Sequence, residues 1–335
     1  MINWNNIHKR ILAADRILLT THENPDGDGL GSASAMYYFL KGYGKECRIV
    51  NCSPLPLEFS FLNKDNIFET FDLDHHKDWI KSADLVLIFD VGDYRRLRAL
   101  KPLIEECGLD TINIDHHPYP EEVPFTVNMV NTSAAATGEM LYDYFTTVST
   151  TPMSLEIAEG IYTAILTDTG SFRYSNTNAR CHEIAIACMQ AGINHTAIYQ
   201  KVYETNSLPR VKLLGQILSN LNLEEQGELA WFTIDESMLG EANATKSDVD
   251  GFTDYVRTIR GVEVALMIFE QAPEICRINF RSKGKYIVNE IAGSFGGGGH
   301  QLAAGAVISG SLVDILPKVL KQTRKIMNQQ NGQIK

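Results

Sequence analysis

The sequence predicts an α/β protein with a doubly wound, mostly parallel sheet domain, a connecting helix, and a second, smaller mixed α/β domain. Strand patterns alternate with helix patterns through about residue 200, which is typical of strand–helix–strand units. The chain has 335 residues, 44% of them hydrophobic, which is long for one domain and sufficient for two cores. We expect a catalytic domain at 1–205, the connecting helix at 206–225 and a substrate-binding domain at 226–335.

Buried strands and amphipathic helices follow one another in the first predicted domain. After the first strand, Leu30, Ala33, Tyr37 and Leu40 recur at helical spacing and give the next segment an apolar face. The strands are predicted at 17–21, 45–51, 83–89, 111–114 and 125–131, and two further helices at 134–145 and 155–166. This alternation favours a parallel sheet with helices on both faces.

A helix at 207–222 is predicted to connect the two domains, because Leu208, Val211 and Leu214 share one of its faces. The second domain is predicted to contain strands at 229–234, 262–269, 275–282 and 303–308, helices at 247–259, 287–295 and 312–327, and a glycine turn at 296–299. We expect the polar tail after Met327 to be frayed.

Aspartates and histidines lie at the ends of the predicted elements of the first domain. Three of them, His22, Asp90 and Asp115, directly follow buried strands. Ligands of open parallel α/β sheets bind at the carboxyl ends of the strands, so these side chains are expected to lie together. Carboxylates mixed with imidazoles suit two bridged divalent ions, and such ion pairs perform phosphoryl chemistry. The candidate residues are His22, Asp26, Asp28, Asp90, Asp115, His116, His117 and Asp168.

Five short motifs occur in order along the chain. They are Thr-His-Glu-Asn-Pro-Asp-Gly-Asp at 21–28, Asp90, Asp-His-His at 115–117, Thr-Asp-Thr-Gly at 167–170, and four glycines at 296–299 followed by His300. Together they resemble the DHH phosphoesterase superfamily, in the branch that has an associated C-terminal domain. Within that branch, the whole chain is similar to enzymes that degrade very short oligoribonucleotides and remove the 3′-phosphate of pAp.

The resemblance implies two metal ions that share the carboxylate of Asp90. The implied ligands are His22, Asp26 and Asp90 for one ion, and Asp28, Asp90, His116 and Asp168 for the other. Four carboxylates balance the charge of two dications, whereas without metal they would repel one another. The mixture of carboxylates with two imidazoles favours Mn²⁺, with Mg²⁺ or Co²⁺ as alternatives.

The resemblance also implies catalytic and substrate-binding residues. Asp115 is expected to fix the tautomer of a histidine by accepting its hydrogen bond. His117 is the candidate to contact the phosphate and to protonate the leaving oxygen. We expect the active site in the cleft between the two domains. The implied substrate contacts are Arg173, Arg281, Ser282, Gly298, Gly299 and His300.

Several of these patterns have an ordinary structural alternative. A second Asp-His-His at 74–76 repeats the motif, and we interpret it as a helix start with Asp74 as the N-cap. An ordinary ion pair is left open for Arg173, and a flexible linker for the glycines at 296–299.

The glycines at 27–31 resemble a dinucleotide-binding turn. That fingerprint requires a glycine where Ser32 stands and an acid near position 50, where the chain has Val50 and Asn51. The motif evidence therefore disfavours a nicotinamide cofactor.

Charge limits the substrates that this chain is expected to take. Residues 1–225 contain 18 basic and 29 acidic side chains, residues 226–335 contain 12 of each, and the net charge is −11. Proteins that track long nucleic acids usually present a basic surface, so a short RNA or a mononucleotide is favoured. We expect no membrane span and no signal peptide, and six cysteines without a Cys-x-x-Cys pair indicate a cytoplasmic protein.

The sequence thus predicts a cytoplasmic, Mn²⁺-dependent phosphoesterase that acts on very short RNA or on the 3′-phosphate of pAp. The enzymatic alternative is hydrolysis of cyclic or linear dinucleotides or of polyphosphate. The alternative without catalysis is a nucleotide-binding regulatory protein. The partners expected are the substrate and, as an open case, a second copy of the chain in a homodimer.

Overall fold

The computed structural model describes residues 2–119 and 124–333, and it divides into two compact units, Met1–Thr205 and Asn206–Lys335. Each unit has one six-stranded sheet and its own hydrophobic cores. The predicted α/β class, with a parallel sheet first and a mixed sheet second, is confirmed.

All strands of the first unit run parallel in a single sheet. The strands are β1 (Arg16–Thr21), β2 (Glu46–Asn51), β3 (Phe68–Thr70), β4 (Leu85–Phe89), β5 (Asp110–Asp115) and β6 (Val127–Val130). Their order in the sheet is β3-β2-β1-β4-β5-β6, so the direction in which the chain builds the sheet reverses between β1 and β4. At such a switch point, a crevice opens at the carboxyl ends of the strands, where ligands bind.

Helices cover both faces of this sheet. They are α1 (Trp4–Ala13), α2 (Gly27–Gly42), α3 (Leu73–Lys81), α4 (Leu100–Cys107), α5 (Thr137–Val148), α6 (Leu155–Asp168), α7 (Ala179–Gln190) and α8 (His195–Tyr203). Strand side chains alternate between the two faces. Leu85 and Leu87 of β4 join the core formed with α1, α2 and α5 to α8, while Val86 and Ile88 join the core formed with α3 and α4.

Helices α2 and α6 touch through glycines. A Cβ on Gly31 would lie 2.3 Å from the carbonyl oxygen of Gly160, and a Cβ on Gly160 would lie 2.5 Å from that of Gly31. A Cβ on Gly27 would lie 2.5 Å from Thr167, so the first turn of α2 lies beside the last turn of α6. This contact places Asp28 close to the end of α6.

The second unit has a mixed sheet with helices against it. Its elements are α9 (Leu208–Ser219), β7 (Asn222–Glu224), β8 (Leu229–Ile234), α10 (Glu236–Ala242), α11 (Phe252–Arg257), β9 (Val264–Ala272), β10 (Ile275–Ser282), α12 (Asn289–Gly293), β11 (Gly298–His300), β12 (Ala303–Ser309) and α13 (Leu312–Gln333). The sheet order is β11-β12-β10-β9-β8-β7. Strands β8 and β9 pair in parallel, and the other neighbours are antiparallel.

The predicted glycine turn at 296–299 is in part an edge strand. Residues of β11 pair with β12, and a Cβ on Gly299 would lie 2.6 Å from the carbonyl oxygen of Ala303. A Cβ on Gly297 would lie 2.1 Å from the carbonyl oxygen of Gly305. The glycines therefore allow two backbones to approach closely, and the flexible-linker alternative is wrong for this segment.

Three further expectations are corrected. The helix predicted at 247–259 is broken by Gly251, whose φ of +82° is readily adopted only without a side chain. The tail after Met327 is not frayed up to Gln333, because α13 continues to that residue. The N-cap of α3 is Asp72 instead of Asp74, because Asp72 is still extended and its side chain accepts from the backbone N–H of His75 at 2.9 Å.

No helix among the described residues is long and apolar enough to span a bilayer.

The close helix contact leads to a stability prediction. Gly160→Ala should lower the free energy of unfolding by about 1–3 kcal/mol, because the new methyl group meets backbone of α2 that cannot rotate away. Gly215→Ala in α9 is the matched control, since a Cβ there meets nothing within 4 Å. It should be neutral or stabilise by roughly 0.5–1 kcal/mol. Thermal unfolding of both variants measures this difference, and equal unfolding temperatures would contradict the packing described.

Candidate metal centre

The eight predicted metal-site residues of the first unit come from strand ends and helix ends. His22 follows β1, Asp90 follows β4, and Asp115 is the last residue of β5. In the sheet, Thr21 at the end of β1 pairs with Phe89 at the end of β4, so the two residues that follow them are neighbours. The remaining five are Asp26 and Asp28 at the start of α2, His116 and His117 after β5, and Asp168 at the end of α6.

Asp26 is the N-cap of α2. Its Oδ1 accepts the backbone N–H groups of Asp28 at 3.0 Å and of Gly29 at 3.3 Å. A helix starts here, because the carboxylate satisfies amides that a helix leaves without partners. The Oδ2 atom of Asp26 remains directed to His22, whose Nε2 lies 3.7 Å away.

His22, Asp26 and Asp90 form the first donor group. The Nε2 atom of His22 lies 3.4 Å from Oδ2 of Asp90, and one donor atom from each residue falls within 4.8 Å of the others. Metal–donor bonds of roughly 2.1 Å bring the ligands of one ion to about 3–3.5 Å from one another. The group therefore needs only a small contraction to hold a divalent ion.

Asp28, His116 and Asp168 form the second donor group. The Nε2 atom of His116 lies 3.7 Å from Oδ2 of Asp28, 3.6 Å from Oδ2 of Asp168 and 3.5 Å from Oδ1 of Asp90. Asp90 therefore directs one oxygen to each donor group. This is the position that a bridging carboxylate requires.

Among the six proposed metal ligands, two buried atoms have no hydrogen-bond partner in the described part of the chain. They are Oδ1 of Asp90 and Nε2 of His116. A buried polar atom without a partner costs about 1–3 kcal/mol. Both atoms are metal-ligand types, so the residues present fit a pair of divalent ions.

The backbone at Asp90 is unusual. Its φ of +60° lies in the left-handed region, which costs energy for a residue with a side chain and is often found at functional sites. Close by, a Cβ on Gly92 would lie 2.8 Å from Cβ of His117. The loop after β4 is therefore strained at Asp90 and packs closely against His117 at Gly92, and this brings Asp90 and His117 together.

The pKa values of the buried carboxylates are shifted in different directions, because burial and mutual repulsion raise them and neighbouring histidines lower them. Burial, together with the charges of Asp90 and Asp168, raises the pKa of Asp28 well above its ordinary value. Burial raises the pKa of Asp168 to about 7, with a further contribution from Asp90 that partly offsets the opposing charge of His116. Burial also acts to raise the pKa of Asp90, but the three neighbouring histidines hold it well below the ordinary value. Of these three carboxylates, Asp90 therefore keeps its negative charge to the lowest pH.

The same carboxylates shift the pKa values of the histidines. Burial alone would lower their pKa values, yet the neighbouring acids raise the pKa of His22 to about 10, of His116 to about 9 and of His117 to about 11. The acids of the site therefore favour positive charge beside them, and protonated histidines provide that charge when no ion is bound.

Hydrogen bonds orient the rings of the two ligand-type histidines. The Nδ1 atom of His22 lies 2.7 Å from the carbonyl oxygen of Glu23 and 2.8 Å from Nη2 of Arg96. The Nδ1 atom of His116 lies 3.3 Å from the carbonyl oxygen of Ala134. When Nδ1 donates to these carbonyls, Nε2 is left as the ligand atom of each ring.

His117 is oriented in a different way. Its Nδ1 lies 2.9 Å from Oδ1 of Asp115, which is fully buried, and 3.3 Å from Oδ1 of Asp90. Asp115 also accepts the backbone N–H of His117 at 3.1 Å. A proton is thereby held on Nδ1, which leaves Nε2 as the nitrogen for proton transfer.

Sequence reasoning missed the partners that hold these ligands. Asp28 accepts the backbone N–H groups of Thr137 at 2.7 Å and of Gly138 at 2.9 Å. Asn176 donates to the backbone carbonyl oxygen of Asp168 at 3.1 Å. The run of small residues before α5 was the available signal, but backbone donors leave no trace in side-chain patterns.

The second Asp-His-His copy lies on α3. His76 is buried and His75 is exposed, and both have donor atoms within 4.8 Å of a carboxylate oxygen of Glu69. The side chain of Arg48 binds both oxygens of Glu69, so its charge is already neutralised. Because the guanidinium occupies both oxygens of Glu69, this carboxylate is poorly placed to bind a metal ion.

The predicted substrate contacts of the second unit lie on neighbouring strands. Arg281 of β10 and His300 of β11 both pair in register with Ala303 of β12, which places them on one face of the sheet. The Nε atom of Arg281 donates to Asp254 at 3.2 Å. Gly298 and Gly299 are exposed on β11, beside His300.

Ser282 and Arg173 are occupied within the fold. Ser282 is fully buried, and its hydroxyl accepts the backbone N–H of Gly284 at 3.1 Å. The Nε atom of Arg173 donates to the carbonyl oxygen of Gly170 at 2.7 Å, across the turn that follows α6. A substrate contact by either residue stays a prediction.

A cavity of about 820 Å³ lies at the opposite ends of α2 and α5 from the donor groups. Its lining includes Phe39, Tyr43, Phe145 and Met153, and none of the eight candidate residues. The candidate site is therefore identified by its donor chemistry instead of by cavity size.

The raised pKa values lead to a prediction about metal affinity and pH. In the ion-free site, the pKa values of His22, His116 and Asp168 are raised to about 10, 9 and 7, so an ion must displace their protons. Mn²⁺ affinity should therefore rise between pH 6 and pH 9, and binding should release protons. Calorimetry in buffers of different ionisation enthalpy measures this release. An affinity that is independent of pH would contradict the assignment of these ligands.

The two Asp-His-His copies can be separated by mutation. His116→Ala should remove a ligand of one ion and lower turnover by orders of magnitude, whereas His117→Ala should leave metal bound and slow the reaction. His75→Ala is the matched control and should change turnover by no more than a few-fold. Metal stoichiometry and steady-state kinetics test this together. The assignment fails if the 75–76 pair is essential and the 116–117 pair is dispensable.

Comparison with known proteins places this chain in a family. The DHH family N-terminal domain matches residues 16–165, and the DHHA1 domain matches residues 227–329. The chain is 30% identical over 297 residues to the bifunctional oligoribonuclease and PAP phosphatase NrnA of Bacillus subtilis, which covers 88% of this chain and 90% of that protein. It is 30% identical over 310 residues to the protein of the same name from Thermus thermophilus, which covers 92% and 89%.

A solved structure has the same fold over nearly the whole chain. An exopolyphosphatase-related protein from Bacteroides fragilis superposes with a TM-score of 0.90 at 27% identity, covering 97% of this chain and 95% of that one. The chain belongs to the DHH family, with a DHHA1 domain in its C-terminal part.

Proposed function

We propose that this protein is a two-metal phosphoesterase that hydrolyses very short oligoribonucleotides to mononucleotides and removes the 3′-phosphate of pAp. The observation that carries the proposal is Asp90, which directs one carboxylate oxygen to each of two donor groups at the carboxyl end of a parallel sheet. The NrnA relatives, at 30% identity over about nine tenths of the chain, favour this substrate class over the alternatives.

The donor groups would hold one ion each, with Asp90 between them. When bound, such ions would lower the pKa of a water for attack on phosphorus and would offer positive charge to the phosphate oxygens. Mn²⁺ is our choice of ion because the donors are mostly carboxylates with two imidazoles, and Mg²⁺ and Co²⁺ are the alternatives. The remaining ligands are His22 and Asp26 in one group and Asp28, His116 and Asp168 in the other.

His117 would donate a proton to the leaving group, and Asp115 would orient His117. Asp115 holds Nδ1 of His117 at 2.9 Å, which leaves Nε2 to carry the proton for the leaving group. A leaving oxygen that accepts this proton from Nε2 departs as a hydroxyl, which lowers the barrier to cleavage.

The DHHA1 domain would bind the substrate through Arg281 and His300, with help from the exposed glycines of β11. Both side chains lie on one face of the sheet, in register with Ala303. Adjacent strands lie about 4.8 Å apart, so the two backbones are separated by roughly 10 Å. This spacing suits a terminal phosphate or one nucleotide. Arg173 and Ser282 are further proposed contacts.

The charge of the chain supports a short substrate. The protein has a net charge of −11, and its last 110 residues are neutral. Extra nucleotides of a long strand would meet an acidic protein that repels them. All six cysteines lie in the described part of the chain as free thiols, which is usual in a reducing compartment, so we propose that the enzyme is cytoplasmic.

The substrate class can be tested with a panel. Purified protein with Mn²⁺ should hydrolyse pAp and RNA of two to five nucleotides faster than a 24-mer at equal concentration of ends. Polyphosphate and cyclic dinucleotides should be poor substrates. Affinity for short RNA should depend weakly on salt, because few counterions are released. A 24-mer degraded faster than a dinucleotide, with steep salt dependence, would overturn the proposal.

Arg281→Ala should raise the KM for pAp and short RNA by about 10- to 100-fold, as expected for the loss of a hydrogen bond to a charged group. Arg277→Ala is the matched control, because Arg277 lies on the same strand and is paired with Asp250 at 2.7 Å. It should leave KM within about two-fold. Equal effects of the two variants would indicate a structural role for both residues.

A further inference from the structure

One backbone segment at the start of α5 holds two ligands of the second donor group. The backbone N–H groups of Thr137 and Gly138 donate to the two oxygens of Asp28 at 2.7 and 2.9 Å. The carbonyl oxygen of Ala134 lies 3.3 Å from Nδ1 of His116. The distance between these ligands therefore depends on where this segment lies.

Two side chains fasten the middle of this segment, residues 134–138. The backbone N–H of Ala135 donates to Oε2 of Glu139 at 2.9 Å, and Glu139 is buried, with 8% of its surface exposed. The Nδ2 atom of Asn176 donates to the carbonyl oxygen of Ala135 at 3.0 Å. The same Nδ2 lies 3.1 Å from the carbonyl oxygen of Asp168 and 3.4 Å from its Oδ2. Asn176 thus joins the segment to the third ligand of the group.

We propose that Asn176 and Glu139 are positioning residues that set the affinity of the second donor group for its divalent ion. This inference rests on the proposed two-ion function. Neither residue is one of the ligands assigned above. Each acts by holding Ala135, so that the amides and the carbonyl on either side of it keep the ligand oxygens and the imidazole at fixed distances. Partners of this kind typically change metal affinity or activity 10- to 100-fold.

The effect should be confined to one ion. His22 is oriented by the carbonyl oxygen of Glu23, and Asp26 by the cap that it forms at the start of α2. Neither Asn176 nor Glu139 makes any of these bonds. Loosening the 134–138 segment should therefore weaken the second ion and leave the first at its usual affinity.

The test is a titration of the metal-free, full-length protein with Mn²⁺, followed by the electron paramagnetic resonance signal of the unbound ion. The wild-type protein should bind two ions. Asn176→Ala and Glu139→Ala should weaken one binding step by about 10- to 100-fold and leave the other within about three-fold. Asn176 is exposed, so its variant is expected to fold. Because the ligands remain, turnover of pAp by both variants should recover at high Mn²⁺.

Two variants serve as matched controls. Glu139→Gln keeps an acceptor for Ala135 and should restore both steps to within about three-fold of wild type. Asn178→Ala also removes a side-chain-to-backbone hydrogen bond in the same loop, because Asn178 caps α7 by accepting the backbone N–H of Cys181 at 3.2 Å. Asn178→Ala should lower the unfolding temperature without changing either binding step.

The failures of the two proposals are distinguishable. If the wild-type protein binds fewer than two ions, both the two-ion function and this inference are overturned. If the wild type binds two ions and the alanine variants at 139 and 176 bind them equally well, the inference alone is overturned. Weakening of the same step by Asn178→Ala to the same degree would also overturn it, because a general loss of stability would then explain the effect.

Discussion

Repulsion among carboxylates that are buried around Asp90 is the constraint on which the rest of the site depends. Asp28 and Asp90 are almost inaccessible to solvent, and burial together with mutual repulsion raises the pKa of Asp28 and Asp168. In the absence of ions, protons on the neighbouring histidines relieve this repulsion, and their pKa values rise accordingly. Two bound dications would relieve the same repulsion with two positive charges each. The cluster would destabilise an ion-free fold, and this is the physical reason why we propose it as a metal site.

The fold meets this constraint with rigid elements. Parallel pairing of β1 with β4, and of β4 with β5, brings the residues after these strands to one edge of the sheet. The helical layer contributes the other proposed ligands, because the glycine contact between α2 and α6 brings the start of one helix beside the end of the other. The 134–138 segment then links the two layers by donating to Asp28 and by facing His116. Ligands that are far apart in sequence are thus held by short connections.

Much of the fold could be predicted because its signals are local. Buried runs that lead to His22, Asp90 and Asp115 indicated parallel strands, and the sheet confirms that these strands pair in parallel. The metal and substrate roles of the individual residues stay predictions. What could not be predicted depends on contacts that are distant in sequence. The cap at Asp26 and the link through Asn176 follow from backbone geometry, which side-chain periodicity does not report.

The glycines before His300 illustrate the same limit. Their sequence indicates a turn or a linker, and only the register with β12 shows that they form an edge strand. Conversely, the segment at 74–76 has the same Asp-His-His sequence, but Arg48 already neutralises Glu69, the carboxylate that lies beside His75 and His76. Sequence identity at a motif is therefore weaker evidence than the charge balance around it.

A crystal structure of the protein soaked in Mn²⁺, with anomalous diffraction measured at the manganese edge, tests the central claim most directly. The account predicts two peaks about 3.5–4 Å apart, with the carboxylate of Asp90 between them. One peak should lie against His22 and the other against His116. A single ion, a pair that Asp90 does not bridge, or manganese bound at His75 and His76 instead would contradict it.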